Sequence, residues 1–305
     1  MDFICSHKNR VVETKFNKIT IWSCPNCKLI FRDIDKIDDN PEKIYSSYYK
    51  PSGARFGYLI EVLVRAFRFW RALRLQYYVG NKIRSIIDVG CGRGYTLWFL
   101  KKFFKVKTVI GIQPSVPAAD FAKKILGIPI VRGDVLVVDL PDKKFQVVTL
   151  WHVLEHISEP EKVIARLRSI IEKEGYIIIE TPNFASWTSV LTGQDWLGLD
   201  LQHHINFFTF QSLNAMLIRC GFMINKASSF SIEYSTFVSA ESLATKITGQ
   251  QHRLFNWLRG IKVGRLALIN LALTLLFFIP CFIINILLIY SGRGEVVFIV
   301  ARKNS

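Results

Sequence analysis

Apolar runs and amphipathic stretches alternate along the middle of this chain. Ile83, Ile86, Ile87 and Val89 form a β-branched run that reads as a buried strand, and a helical pattern starts at about Tyr95. The run TVIGI (108–112) follows at the distance expected of a βαβ unit, and PIVRGDV (129–135) supplies a third short strand after another helix. FQVVTLWHVLEH (145–156) opens with a fourth strand. PEKVIARLRSIIEKEG then reads as an amphipathic helix ending at Gly175, and YIIIETPN as a fifth buried strand whose end carries Glu180, Thr181, Pro182 and Asn183. Strands alternating with helices predict an α/β fold.

The flanks follow other patterns. Residues 33–54 are polar, contain Pro41, Pro51 and Gly53 beside Tyr45, Tyr48 and Tyr49, and read as a linker. From Arg55 to Tyr78 a helical pattern places Arg65, Arg68, Arg71 and Arg74 at intervals of three, interleaved with Phe67, Phe69, Trp70 and Leu73. Two readings stay open: a basic helix lying in a bilayer interface, or a helix packed on the sheet with solvated arginines. From Leu266 to Tyr290 there are 25 residues without a charge, long enough to cross a bilayer once.

The chemistry starts at the turn after the first strand, where Gly90, Gly92 and Gly94 follow one another as G-C-G-R-G, with Asp88 two residues ahead. Glycines there remove every Cβ, so backbone can approach a ligand, and the N–H groups of the helix start point towards it. The third glycine comes one residue earlier than in the dinucleotide fingerprint.

With this glycine turn, the order of strands and the WHVLEH stretch, the chain resembles the class I S-adenosylmethionine-dependent methyltransferases of the small-molecule branch, over about residues 83–235 and again at 292–303. The resemblance implies a Rossmann-like, seven-stranded, mostly parallel sheet with helices on both faces. It places S-adenosylmethionine over Gly90, Gly92 and Gly94, with Asp88 beside them. Its ribose hydroxyls would meet the residue ending the second strand, normally a carboxylate and here Gln113, which accepts hydrogen bonds without the strength of a charge. Asp134, next to Val135, matches the acidic residue near the adenine amine, or else is a turn carboxylate.

Trp151 and His152 end the fourth strand, at the rim where open α/β sheets place ligands, with Glu155 and His156 on one helical face after them. His152 is a candidate catalytic residue, facing either the methionine end of the cofactor, beside its reactive centre, or the acceptor. WLGLDLQHHINFFTF resembles the family's D-x-x-x-H-x-x-x-F-T segment, so Asp200, His204, Phe208 and Thr209 inherit it rather than His203. A histidine suits removal of a proton from a hydroxyl as a methyl group arrives, which makes His204 the candidate general base, against the plainer reading of a loop histidine. Methyl transfer to oxygen needs little beyond alignment of the acceptor.

The resemblance also bears on the apolar stretch. SGRGEVVFIVARK matches the family's last strand, which inserts antiparallel between the fifth and sixth strands, so both ends of the apolar stretch return to one domain. Lys246, Arg253, Arg259, Lys262 and Arg265 before it, and Arg293, Arg302 and Lys303 after it, agree with both ends on the cytoplasmic side. Pro280 near the middle predicts a break into two half-length helices, a hairpin dipping into one leaflet of a membrane rather than spanning it. The basic helix at 55–78 then becomes a second contact with anionic lipid.

At the N-terminus, Cys24 and Cys27 form a C-x-x-C knuckle, and Cys5 and His7 supply a second pair that would close a tetrahedral zinc site. Methyltransferases of this type often begin with such a segment, and Leu29-Ile30-Phe31 resembles its apolar ending. The alternative is a pair of unligated thiols.

Composition adds bounds. The 305 residues make one large or two small domains, half of them apolar, and the formal charge of +16 points to an anionic partner. Six scattered cysteines and no cleavable signal suit a reducing, cytoplasmic setting, on the cytoplasmic face of a membrane. The expected organisation is a zinc segment (1–32), linker and basic helix (33–82), methyltransferase core (83–235), membrane-associated insertion (236–291) and last strand (292–305). The expected activity is O-methylation of a membrane-associated amphiphile: a lipid-linked saccharide, a glycolipid or a quinone-like lipid, with a saccharide favoured. Two rivals are an inactive membrane-bound scaffold, suggested by Gln113, and a nucleic-acid methyltransferase. The latter lacks the N/D-P-P-Y motif for amino groups on bases, so no nucleic-acid partner is expected.

Overall fold

The computed structural model describes residues 5, 7, 9–16, 19–33, 58–80, 82–249, 253–258, 264 and 267–304. The linker residues with their prolines and tyrosines, the start of the basic helix before Tyr58, and Arg259, Lys262 and Arg265 lie outside them.

Three short strands open the described chain: β1 (Val11–Phe16), β2 (Ile19–Ser23) and β3 (Ile30–Arg32). They pair antiparallel in that order, with the C-x-x-C knuckle as the turn between β2 and β3. There the Cys24 N–H donates to the Leu29 carbonyl at 2.9 Å, and Lys28 takes a φ of 64°.

Helix α1 (Tyr58–Val79) leads into β4 (Ser85–Val89), α2 (Tyr95–Phe103), β5 (Thr108–Gln113), α3 (Val116–Lys124), β6 (Ile130–Arg132) and β7 (Phe145–Trp151). A 3₁₀ turn at Leu154–His156 precedes α4 (Pro160–Ser169), β8 (Ile171–Pro182), α5 (Trp187–Thr192), β9 (Asn206–Phe207), α6 (Phe210–Arg219) and β10 (Phe222–Ser228). The last elements are α7 (Ser235–Thr248), α8 (Arg253–Leu258), α9 (Ala267–Leu287) and β11 (Val296–Lys303).

The main sheet has seven strands in the order β10-β11-β8-β7-β4-β5-β6; β11 alone runs antiparallel to its neighbours, inserted between β8 and β10. This is the sheet the resemblance implied. Strand alternation divides it into two buried faces. Ile87, Val148, Ile177, Ile179 and Ile299 point towards α4 and α6, where Val163, Ile164, Leu213 and Leu217 meet them. Ile86, Val147, Ile178 and Phe298 point the other way, towards Ala72 and Leu75 of α1 and Leu97 and Leu100 of α2. Phe298 stacks on Trp151 at 5.9 Å, and its truncation to alanine would cost about 3–5 kcal/mol. The small sheet joins this body through β9, whose Asn206 and Phe207 pair with Phe31 and Ile30 of β3.

Three expectations are corrected. The helix expected to end at Gly175 stops at Ser169, and β8 begins at Ile171. Glu174 takes a φ of 64° before Gly175 in a stretch where the pairing of β7 with β8 shifts register, so helix-like charge spacing there belongs to a bulge.

No break occurs at Pro280. Helix α9 is one continuous helix, and its Asn270, Thr274, Cys281 and Asn285 form a buried stripe while Pro280 lies on the exposed side. The stripe packs on α7: Thr274 donates to Glu241 at 2.9 Å and Asn285 Nδ2 to Ser239 Oγ at 2.9 Å. A proline removes one backbone bond, and packing along both halves of the helix keeps them collinear.

The arginines of α1 are neither solvated nor turned outward. Arg68 and Arg71 pair with Glu233, and Arg74 with Glu180 at 3.4 Å, so this basic face looks into the domain. Exposed positions of α1 carry Val62, Leu63, Trp70, Leu73 and Tyr77 instead. Downstream, Arg302 pairs with Glu174, and Lys303 donates to the carbonyls of Arg168 and Ile171.

Candidate functional site

The carboxyl ends of β4, β5 and β7 open onto a cavity of about 630 Å³. Gly90 and Gly92 form its floor at φ 69° and 55°, a backbone region where L side chains are strained, and a Cβ on Gly90 would collide with Val153. Gly94, at φ 75°, packs where an added Cβ would meet Ala122 at 3.1 Å, so its glycine serves helix packing rather than the cavity wall.

Asp88 also lines the cavity and accepts from Thr149 Oγ1 at 2.6 Å. Burial pushes its carboxyl up to about 6 despite that bond. Gln113 and the pair Asp134 and Val135 line the same cavity, as do Trp151 and His152. Asp134 accepts the Leu136 N–H at 2.8 Å, which shapes its turn. The indole Nε1 of Trp151 is buried with no hydrogen-bond partner among the described residues, while the Arg71 guanidinium lies 4.2 Å above its ring. The sequence-predicted cofactor residues thus come together, except that Gly94 stands behind them.

His152 adopts a φ of 54° just past the end of β7, which turns its ring into a carboxylate clamp. Nε2 lies 3.2 Å from Glu180 Oε1, Nδ1 lies 3.6 Å from Glu155 Oε1, and the ring packs on Tyr234 at 4.7 Å. Burial opposes a charge on this ring, but Glu155 and Glu180 outweigh it and raise His152 to about 9. Both carboxyls are lowered to about 2, burial again being overcome by His152 and, for Glu180, by Arg74. Ser231 also donates to Glu180 Oε1 at 3.0 Å, and Thr181 to Glu155 Oε2 at 3.1 Å. His152 is therefore an imidazolium near neutral pH and has no lone pair with which to take a proton.

The loop before β9 brings His203 and His204 to the same cavity. His204 is buried, and its Nδ1 lies 3.1 Å from the Gly198 carbonyl, so Nδ1 donates and Nε2 carries the lone pair. Burial, then His156, lowers it to about 4, leaving it neutral. His203 Nδ1 lies 2.8 Å from Asp200 Oδ1, an aspartate–histidine pair. His203, with its neighbours, holds Asp200 well below the usual carboxylate range against the effect of burial. The sequence reading named Asp200 and His204 and passed over His203; an aspartate three residues before a histidine is the signal that marks the pair.

The His156 ring meets the His204 ring edge-on at 4.8 Å, and its Nδ1 faces the His203 carbonyl at 3.1 Å. Ligand-type atoms of Glu155, His156 and His204 lie within 4.8 Å of one another. The other charged residues missed by sequence reasoning are Glu61, which pairs with Arg93 at 2.7 Å, and Glu233. All of these line the cavity. Such pairs join positions far apart in the chain, which local spacing does not report.

The N-terminal cluster is also assembled. Atoms of Cys5, His7, Cys24 and Cys27 lie within 4.8 Å of one another, against an edge of about 3.8 Å for a tetrahedron with zinc–sulfur bonds of about 2.3 Å. Burial would raise the Cys24 thiol, yet the Cys27 N–H and His7 bring it down to about 6. Three thiols, that of Cys24 with thiolate character, and one imidazole make the four ligands of a zinc ion with no open position. This cluster buttresses the histidine loop: Arg32 donates to the carbonyls of His204 at 2.9 Å and Gln202 at 3.3 Å.

Comparison with known proteins agrees with this layout. A family model described as a methyltransferase domain matches residues 62–226, more than half of the chain. A mitochondrial ubiquinone biosynthesis O-methyltransferase of Candida albicans is 29% identical over 132 residues, 40% of each chain. The ubiquinone biosynthesis O-methyltransferase of Histophilus somni is 28% identical over 140 residues, 41% of this chain and 58% of the relative. The chain thus spans about half the length of these curated relatives. In fold, it is similar to the phospholethanolamine N-methyltransferase 2 of Haemonchus contortus solved with phosphomonomethylethanolamine and S-adenosylhomocysteine, with a TM-score of 0.50 and 12% identity over 77% of this chain and 52% of that one.

Proposed function

Because the chain belongs to the class I S-adenosylmethionine-dependent methyltransferases, we propose that it methylates an oxygen of an amphiphilic acceptor held at a membrane surface. The observation that carries this reading is the joining of the glycine floor and the histidine loop in one cavity whose wall extends to Phe278 on the apolar helix α9.

Gly90, Gly92, Gln113, Asp134 and Val135 would hold S-adenosylmethionine, which supplies a methyl group on a sulfonium that is its own leaving group. The residues do the rest. Glu155 and Glu180 hold His152 from both sides, and Arg74 on Glu180 balances the charge of that cluster, so it fixes the rim of the cavity rather than leaving a free anion there. His203 and His204 face the acceptor side. His204 is tied through Nδ1 to the Gly198 carbonyl, whereas the Asp200 carboxylate accepts from His203 Nδ1 and so leaves the lone pair of His203 on Nε2, an orientation that favours His203 as the proton acceptor over the sequence-based choice of His204. His152 orients its neighbours and carries charge.

The printed function of the curated relatives supports methylation at oxygen and favours a quinone-like acceptor over the saccharide expected from sequence. The exposed apolar side of α9 would lie in one leaflet, as a single helix rather than a hairpin, with the domain on the cytoplasmic face. Cys5, His7, Cys24 and Cys27 would hold a structural zinc.

Incubation of the full chain with methyl-labelled cofactor and source membranes tests this reading. Label is expected in the lipid extract; label confined to the aqueous phase, or absent, overturns it.

A further inference from the structure

The cavity has two chemically different ends. One carries the glycine floor, the carboxylates and the histidines. The other is walled by Phe67, Ile232, Phe237, Phe255, Leu258 and Phe278, drawn from α1, the loop before α7, and helices α7, α8 and α9. A polar, charged cofactor has no use for such walls, since burying its polar groups against them would be unfavourable.

Helix α9 tells where this end leads. Its inner face is polar and hydrogen-bonded to α7 through Thr274 and Asn285, so that face is fixed. Its outer face carries Leu275, Leu276 and Ile279 at 64%, 67% and 69% exposure, a contiguous apolar surface of the kind that marks a membrane or partner contact. Phe278 belongs to both: it lines the cavity and is 43% exposed. The apolar end of the cavity is therefore continuous with the surface that, on the reading above, meets the bilayer.

We propose that this end seats a single hydrocarbon chain belonging to the acceptor, admitted sideways from the membrane past Phe278 while the reactive head reaches the histidines. This rests on the proposed membrane-facing methyltransferase. A cavity of about 630 Å³ that also takes a cofactor and an acceptor head suits one slim chain, not the two tails of a phospholipid.

The test uses the full chain in phosphatidylcholine–phosphatidylglycerol nanodiscs with three photoreactive probes: a diazirine-bearing farnesol, a diazirine-bearing palmitate and a diazirine-bearing phosphatidylcholine. Crosslinked positions are mapped by mass spectrometry. The single-chain probes are expected to label Phe237 and Phe255 as well as Leu275 and Ile279, the stronger probe identifying an isoprenoid or an acyl chain, while the phospholipid labels the outer face alone. Ile232→Trp, which fills the apolar end, should reduce cavity labelling at least about tenfold and leave outer-face labelling and S-adenosylhomocysteine affinity unchanged. Outer-face labelling without cavity labelling, cavity labelling that survives the tryptophan, or equal cavity labelling by the phospholipid each overturns the proposal. Loss of outer-face labelling, or of S-adenosylhomocysteine binding by calorimetry in the unaltered chain, overturns the functional reading itself, and with it the chain site.

Discussion

His152 Nε2 lies 3.2 Å from Glu180 Oε1 across 28 residues of chain, and this contact, second to that of Glu155, raises the histidine at the rim of the sheet to about 9. The consequence for stability has a sign. A raised histidine pKa contributes stability that is complete below about 6.5 and is lost as pH rises through about 9; the lowered carboxyls contribute stability that is complete above about 4.5 and is lost as pH falls through about 2. The clamp is therefore strongest between about pH 4.5 and 6.5. Glu180→Gln should bring the titration midpoint of His152, followed by proton NMR of its ring, down from about 9 towards the ordinary range. An unmoved midpoint would mean that the pair is not what holds the charge.

Gln113 supplies a neutral acceptor where the family places a carboxylate. Gln113→Glu should tighten S-adenosylmethionine binding by about five- to thirtyfold, the difference between a neutral and a charge-assisted hydrogen bond, as read by calorimetry. Gly90→Ala is the opposing control: the left-handed backbone and Val153 leave no room for a methyl group, and binding should be lost while the circular dichroism of the sheet persists.

The aspartate–histidine pair makes a kinetic claim. Asp200→Asn should lower kcat by about 10²-fold or more, with cofactor affinity unchanged. His204→Gln should alter kcat far less. A kcat insensitive to Asp200→Asn, with His204→Gln inactive, would return the base role to His204.

The cysteine cluster can be separated from the chemistry it supports. Purified protein should contain one zinc per chain by elemental analysis, and Cys24→Ser with Cys27→Ser should remove it. Because Arg32 and β3 hold the histidine loop, amide exchange should rise at residues 202–207 while the glycine turn keeps its protection. Unchanged exchange there would show that the ribbon is a separate module.

Much of this was legible in the sequence, and the reasons differ by element. The buried strands could be read because β-branched runs flank the glycines, and the turn itself because Gly90 and Gly92 take backbone angles few other residues tolerate. The insertion of β11 beside β8 followed from the family resemblance. What escaped was set by partners distant in the chain. The arginine spacing of α1 gave a basic face, but not that Glu233 and Glu180 would draw it inward. Pro280 argued for a break because local backbone rules say nothing of Thr274 and Asn285 finding α7 on both sides of it. His203 was passed over because the family's D-x-x-x-H spacing selects His204, although Asp200 stands three residues before His203 and pairs with it in the loop.

The place of β11 between β8 and β10 also orders the birth of the molecule. During translation β8 and β10 emerge with a vacancy between them, and α9 leaves the ribosome before the strand that fills it. On the proposed membrane reading, the greasy helix would thus be offered to lipid while its catalytic body is still unfinished, so targeting would precede competence. Released chains truncated just before Val296 should accordingly float with vesicles in a density gradient yet retain no S-adenosylmethionine, and truncated chains that stay in the soluble fraction would refute that order.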